Sequence, residues 1–247
     1  MKQRNRLIAA GSAAFLVFAL ALVPARVINS ALPDDSIKIS DTSGTLWNGT
    51  ARSVVIAGFQ FTDVSWNLQA LSLLIGRLSL SVDAKWGAGF VRGDLAAGIT
   101  GALSVRDLRV AGPLAPVLRQ LNMRGSGGEL SINFAELDIE DRWPTRAIGN
   151  VGVGRLPFSM LGIPGGSMGN YGIEFEIADV AEDGVIPGML TDNGGPLEVV
   201  GELRLKPPQD YSIQARLKAR PGAPPELVQG LLLAGPKLPD GSHEFEM

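Results

Sequence analysis

The sequence predicts a mainly β protein: a curved, mostly antiparallel sheet, forming an open groove or an incomplete barrel or sandwich, with a few short helices and one N-terminal transmembrane helix ahead of it. Three observations carry this expectation. Apolar and polar residues alternate with a period of two in several segments after Ile37, while the helical period is confined to short pieces. The chain also spreads 31 glycines and 16 prolines along its 247 residues while 45% of them stay hydrophobic. That composition suits many strands and turns better than disorder or a helical bundle.

The N-terminus is read first. Lys2, Arg4 and Arg6 precede Leu7 to Val23, an uncharged stretch of about 17 residues, at the short end of what spans a bilayer as a helix. Pro24 and Arg26 end it. Basic residues stay cytoplasmic, so three charges against one put the bulk of the chain across the membrane. The expected division is residues 1–6 cytoplasmic, 7–25 a transmembrane anchor and 26–247 one periplasmic β-rich domain. A cleavable signal peptide is the competing reading, because Ala19-Leu20-Ala21 and Val23-Pro24-Ala25 offer small residues to a peptidase.

In the body, Leu78, Leu80, Val82, Ala84 and Trp86 alternate with Arg77, Ser79, Ser81, Asp83 and Lys85. Leu130, Ile132 and Phe134, then Ile173, Phe175 and Ile177, then Leu203 and Leu205, repeat the pattern against polar partners. Such alternation belongs to antiparallel sheets that are wet on one face. Trp47, Trp66, Leu80, Phe134, Phe175 and Leu203 are expected on the buried face, and Glu174 and Glu176 outside. Leu68 to Ile75, Leu114 to Leu121 and Pro225 to Leu233 read as short helices covering sheet ends. The strongest breaks are Gly112-Pro113, Pro164-Gly165-Gly166 and Gly194-Gly195-Pro196, and Gly149 to Gly172 reads as a bend or mobile loop.

Composition also narrows chemistry. With no cysteine there are no thiolate metal sites, thiol nucleophiles or disulfides. A net charge of -3 with scattered Lys and Arg offers no basic stripe for nucleic acid. The only histidine, His243, sits near the C-terminus and reads as a surface residue of a last strand. Glu136, Asp138 and Glu140, like Glu174 and Glu176, share strand faces at spacing two, which a solvated face explains without catalysis. No phosphate-binding glycine motif follows Gly149, Gly152 and Gly154, and Asn48-Gly49-Thr50 is a turn signal before it is a glycosylation sequon. No catalytic, cofactor or metal residues are assigned, no cofactor is expected, and the chain is not read as an enzyme.

The most informative stretch is Gly44-Thr45-Leu46-Trp47-Asn48-Gly49, followed by Val64-Ser65-Trp66-Asn67-Leu68. It reads as two strands around a turn, with Trp47 and Trp66 in half-buried strands and Gly44 and Gly49 at bends. Together with the apolar N-terminus, Leu73-Leu74-Ile75-Gly76-Arg77-Leu78 and Ala219-Arg220-Pro221-Gly222, this arrangement resembles the type II secretion system protein N family. The resemblance implies an accessory component of that machinery in the bacterial inner membrane, N-terminus cytoplasmic and C-terminal domain periplasmic. It also implies partners among the other inner-membrane and periplasmic components, with Gly44, Leu46, Trp47, Gly49 and Trp66 as structural or partner-binding candidates. The alternative is a lipid- or amphiphile-binding groove of the AsmA-like kind, in which Leu78, Leu80, Val82 and Trp86 with Leu203, Leu205, Ile173 and Phe175 line a trough.

Overall fold

The computed structural model describes residues 21–27, 37–122, 127–158, 166–176 and 184–246. Among them, thirteen strands pair strictly in sequence order, each antiparallel to the next. They are β1 (Ile37–Gly44), β2 (Asn48–Ile56), β3 (Phe59–Leu68), β4 (Arg77–Trp86), β5 (Gly89–Gly98), β6 (Leu103–Pro113) and β7 (Glu129–Glu140). The meander continues through β8 (Trp143–Gly154), β9 (Tyr171–Phe175), β10 (Ile186–Asp192), β11 (Leu197–Lys206), β12 (Asp210–Ala219) and β13 (His243–Glu246). A 3-10 helix (Ala70–Ile75) joins β3 to β4; α1 (Ala115–Gln120) follows β6 and α2 (Pro225–Ala234) follows β12. β1 and β13 do not pair with one another, so the sheet is open. Residues 7–20 of the expected anchor lie outside the described residues, and no described helix is long and apolar enough to cross a membrane.

Register is set by the alternation. One row runs Ala84, Val91, Val110, Ile132, Val151, Ile173, Leu190, Gly201, Ala215, Phe245 without a polar side chain, each residue directly opposite the next across β4 to β13. The adjacent row on the other face runs Asp83, Arg92, Arg109, Asn133, Asn150, Glu174. A slip of one residue in any strand would exchange the two rows, which is why the pattern specifies the pairing. Cross-strand ion pairs on the wet face, Lys85–Asp63 at 2.8 Å and Arg106–Asp138 at 2.8 Å among them, reinforce it.

A single flat sheet would leave its apolar face open, yet Ala51, Ala84, Ala147 and Ile186 are almost fully buried. Curvature resolves this. Asp41, Asp63 and Asp107 sit inside strands with φ of 54°, 49° and 49°, a left-handed conformation that aspartate tolerates better than most residues. Beside Asp63 and Asp107 the ladder shifts, between Thr62 and Ser65 and between Arg92 and Asp94, with a further shift between Phe134 and Glu136. Bulges of this kind bend and twist strands. On the crowded inner face, aromatic rings lie over glycines: Trp86 over Gly112, Phe134 over Gly149 and Phe175 over Gly188. A Cβ at Gly188 would come within 2.7 Å of the Phe175 ring.

The core is divided along the meander. Ala51, Val54, Val64 and Ala84 gather Ile37, Ile39, Phe61, Trp66 and Val82. Phe134, Ala147, Phe175 and Ile186 gather Leu108, Ile132, Ile173, Leu203 and Leu205, with the Phe134 and Phe175 rings 5.9 Å apart. Phe158, Met168 and Leu227 form a third cluster, where α2 closes one end of the sheet. Arg220 locks that end. Its Nη1 contacts Asp192 Oδ1 at 2.7 Å and donates to the Gly195 carbonyl at 3.0 Å, while Asp192 also accepts the amides of Gly194 and Val199.

Three expectations need correction. Trp47 is not a strand residue; it lies in the β1–β2 turn, half-buried. His243 begins β13 as expected but is buried, because residues 236–238 fold back over it and its Nδ1–H donates to the Gly235 carbonyl at 3.0 Å. Gly149 to Gly154 belong to β8 instead of to a loop; there Gly149 makes room for the Phe134 ring and Gly152 for the Ser131 hydroxyl.

Candidate functional site

The β1–β2 connection, residues 45–47, is the point where the sequence candidates meet. Gly44, with φ of 85°, turns the chain out of β1 and pairs with Gly49 of β2. Thr45 N–H donates to the Asn48 carbonyl at 2.9 Å and its Oγ1 accepts the Asn48 amide at 3.1 Å, closing the turn. Trp66 on β3 sits directly opposite Gly49, and its indole ring occupies the space a Cβ there would need. The Trp66 Nε1–H then donates to the Leu46 carbonyl at 3.0 Å, and the Leu68 amide to the Trp47 carbonyl at 2.6 Å. Gly44, Leu46, Trp47, Gly49 and Trp66 therefore form one clamp, with Gly49 buried and both tryptophans half-buried.

The clamp holds something the sequence did not reveal. Pro24 bridges to Thr45, the Leu46 amide donates to the Val23 carbonyl at 2.8 Å, and the Ala25 amide donates to the Gly44 carbonyl at 3.1 Å. Ala25 is 1% exposed. The end of the N-terminal apolar run is thus stitched directly to the first turn of the sheet. No periodicity marks residues 23–25, because the contact is made by backbone groups and one small side chain.

Beside the clamp, on the wet face, Asn48, Ser65, Asn67, Ser81, Asp83, Arg92, Asp94 and Arg109 surround an open depression of about 540 Å³. Within it Arg92 pairs with Asp83 at 2.5 Å, and further along the same face Lys85 pairs with Asp63 at 2.8 Å. The Lys85 bond holds the Asp63 carboxyl below the usual carboxylate range and raises the Lys85 ammonium in return. Glu136 and Asp138, one of the acid sets noted in the sequence, lie between Arg106 and Arg146, with Arg146 Nη1 3.2 Å from Glu136. Burial pushes the Asp138 carboxyl up, but the bonds from Arg106 and Ser104 outweigh it and lower it overall. A carboxyl lowered in this way, as at Asp63 and Asp138, is poorly suited to proton transfer near neutrality. Glu174 and Glu176 are exposed. Among the described residues no set of three or more His, Asp or Glu could hold a metal ion.

The profile of type II secretion system (T2SS), protein N, matches residues 35–246. The chain belongs to the type II secretion system protein N family. A type II secretion system protein N from Aeromonas hydrophila is 27% identical over an alignment that covers all of this chain and 98% of the relative. One from Vibrio cholerae serotype O1 is 35% identical over 68 residues, 27% of this chain and 26% of the relative. No solved structure matches. Family membership makes the chain a type II secretion component, which accords with a site built of packing and backbone bonds.

Proposed function

We propose that the chain is an accessory component of the type II secretion machinery in the inner membrane, with its N-terminus cytoplasmic and its sheet in the periplasm, and that it works by binding and assembly instead of by chemistry. Membership of the family over residues 35–246 carries the reading. The stitched N-terminus favours an uncleaved anchor over cleavage after Ala25, since that cut would remove the Val23 and Ala25 bonds that hold the β1–β2 turn. Partners are other inner-membrane and periplasmic components of the machinery. Edge strand β1 offers the means: Asp41 breaks its regularity, leaving Ile37 to Ser40 as a short regular edge onto which a partner strand can add.

A strain lacking the gene, complemented with variants, tests this. Export of folded substrates should fall on deletion and return with the wild-type chain. Trp47→Ala and Gly49→Val should behave like the deletion, while Glu174→Gln should restore export fully. Normal export in the deletion strain would refute the reading. Reporter fusions after Met247 test the topology: activity of a cytoplasmic reporter in place of a periplasmic one would reverse it.

A second reading rests on one observation, that the apolar row crosses the sheet on one face and much of it is only half-buried. Such a face suits an acyl chain. The residues expected to line a single trough, however, divide between clusters, Val82 in the first and Ile173, Phe175, Leu203 and Leu205 in the second. Phospholipid retained stoichiometrically through purification would favour this reading.

A further inference from the structure

Strict antiparallel order sorts the connections onto two ends of the sheet. The β1–β2 turn, the 3-10 helix between β3 and β4 and the β5–β6 loop share one end, here called proximal; α1 and α2 lie at the other. The proximal end carries an apolar surface that no packing requires. Leu71 and Ile75 of the 3-10 helix are 80% and 73% exposed, and Ile99 at the tip of the β5–β6 loop is 89% exposed. Leu73 and Leu78 beside them are also exposed. Ile99 adjoins the end of that helix, since a Cβ on Gly76, which ends it, would lie 3.2 Å from Ile99 Cγ2. The helix Ala70–Ile75 contains no charged residue, so it is not a sheet cover with a wet outer face.

The same end receives the N-terminal segment. Pro24 and Ala25 are fixed to the β1–β2 turn, so the uncharged run from Leu7 to Val23 terminates within the proximal surface, where Leu22 is 67% exposed. Trp47 lies in that turn, and tryptophan favours the boundary between headgroups and acyl chains. Exposed apolar surface of this kind marks a site of contact, and the position of the apolar run specifies the contact as lipid.

We propose that the proximal end rests on the phospholipid surface, with Leu71, Ile75 and Ile99 inserted at the boundary between headgroups and acyl chains. The inference rests on the anchor reading given above. Its consequence is a fixed posture: the strands stand away from the bilayer, and strands of about ten residues carry α1 and α2 roughly 30 Å outward. The β1 edge then points along the membrane normal, toward partners in the periplasm.

The absence of cysteine allows a direct test. Leu71→Cys, Ile75→Cys and Ile99→Cys are made in the full chain, labelled with a polarity-sensitive fluorophore and reconstituted into vesicles of phosphatidylethanolamine and phosphatidylglycerol containing spin-labelled lipid. Leu121→Cys and Leu232→Cys, each at a residue 62% exposed at the distal end, serve as controls, and Ala14→Cys reports on the apolar run. All substitute exposed or N-terminal positions, and a melting transition matching wild type confirms the fold. The proposal predicts loss of most emission by lipid quenching at positions 14, 71, 75 and 99 and none at 121 and 232. Quenching at 14 with wet or unquenched probes at 71, 75 and 99 overturns the posture and leaves the anchor standing. No quenching at 14 overturns the anchor, and equal quenching at both ends overturns the posture.

Discussion

At the scale of single residues, the account turns on side chains that fill space another residue leaves. Trp66 covers Gly49 and donates to the Leu46 carbonyl, so Trp66→Ala removes both the ring and the bond. A truncation of this size costs about 3 to 5 kcal/mol when the site cannot collapse, and chemical denaturation should show a loss in that range. Gly49→Val should destabilise as well, by overpacking against the same ring, whereas the exposed Glu174→Gln should stay within about 0.5 kcal/mol of wild type. Asp192 supplies a pH prediction. Burial alone would raise its carboxyl, but Arg220 and the amides of Val199 and Gly194 more than offset that and hold it below the ordinary value. Its contribution is therefore complete above the unfolded value of about 4 and is lost as pH falls through the lower folded value. Melting temperatures from pH 7 downward should fall less steeply in Asp192→Asn than in wild type; parallel curves would refute the assignment. Nearby, burial pushes the Tyr171 phenol up to about 12, so its hydroxyl remains a donor, to the Met168 carbonyl at 2.6 Å.

At the scale of elements, legibility depended on whether a residue's role was local. β4, β7, β9 and β11 are visible as alternation because each has one wet face, and the segments at 68–75, 114–121 and 225–233 are visible because they interrupt it. Trp47 misled because a β-favouring residue was placed by its own preference, while the turn is imposed by Gly44 and by the bonds of Thr45 and Asn48. The glycines of β8 misled for the converse reason: read alone they break a strand, yet here Gly149 lies under the Phe134 ring and Gly152 beside the Ser131 hydroxyl. That role makes a prediction. Phe134→Ala should destabilise by about 3 to 5 kcal/mol, and Gly188→Val by about 1 to 3 kcal/mol through collision with Phe175 and Ile173. If Gly188→Val were neutral by denaturant titration, the ring-over-glycine packing of the inner face would be refuted. The bulges at Asp63 and Asp107 and the left-handed Asp41 left no sequence signal beyond an aspartate in a strand, and the stitching of Val23 to Ala25 left none.

At the scale of the whole molecule, the family membership makes the chain a type II secretion component, and the open meander ends at β1, the edge on which the proposed binding role rests. The candidate residues of the sequence do converge, but on a clamp that joins residues 23–25 to the sheet, and the surface proposed for a partner is the adjoining β1 edge. Crosslinking in intact cells tests that claim most directly. A photo-reactive residue is placed at Lys38 or Ser40, both exposed on β1 and away from the proximal surface, and the adducts are identified by mass spectrometry. The account predicts adducts to inner-membrane or periplasmic components of the type II secretion machinery, lost in Gly49→Val. Recovery of phospholipid or lipopolysaccharide with no secretion component would contradict it.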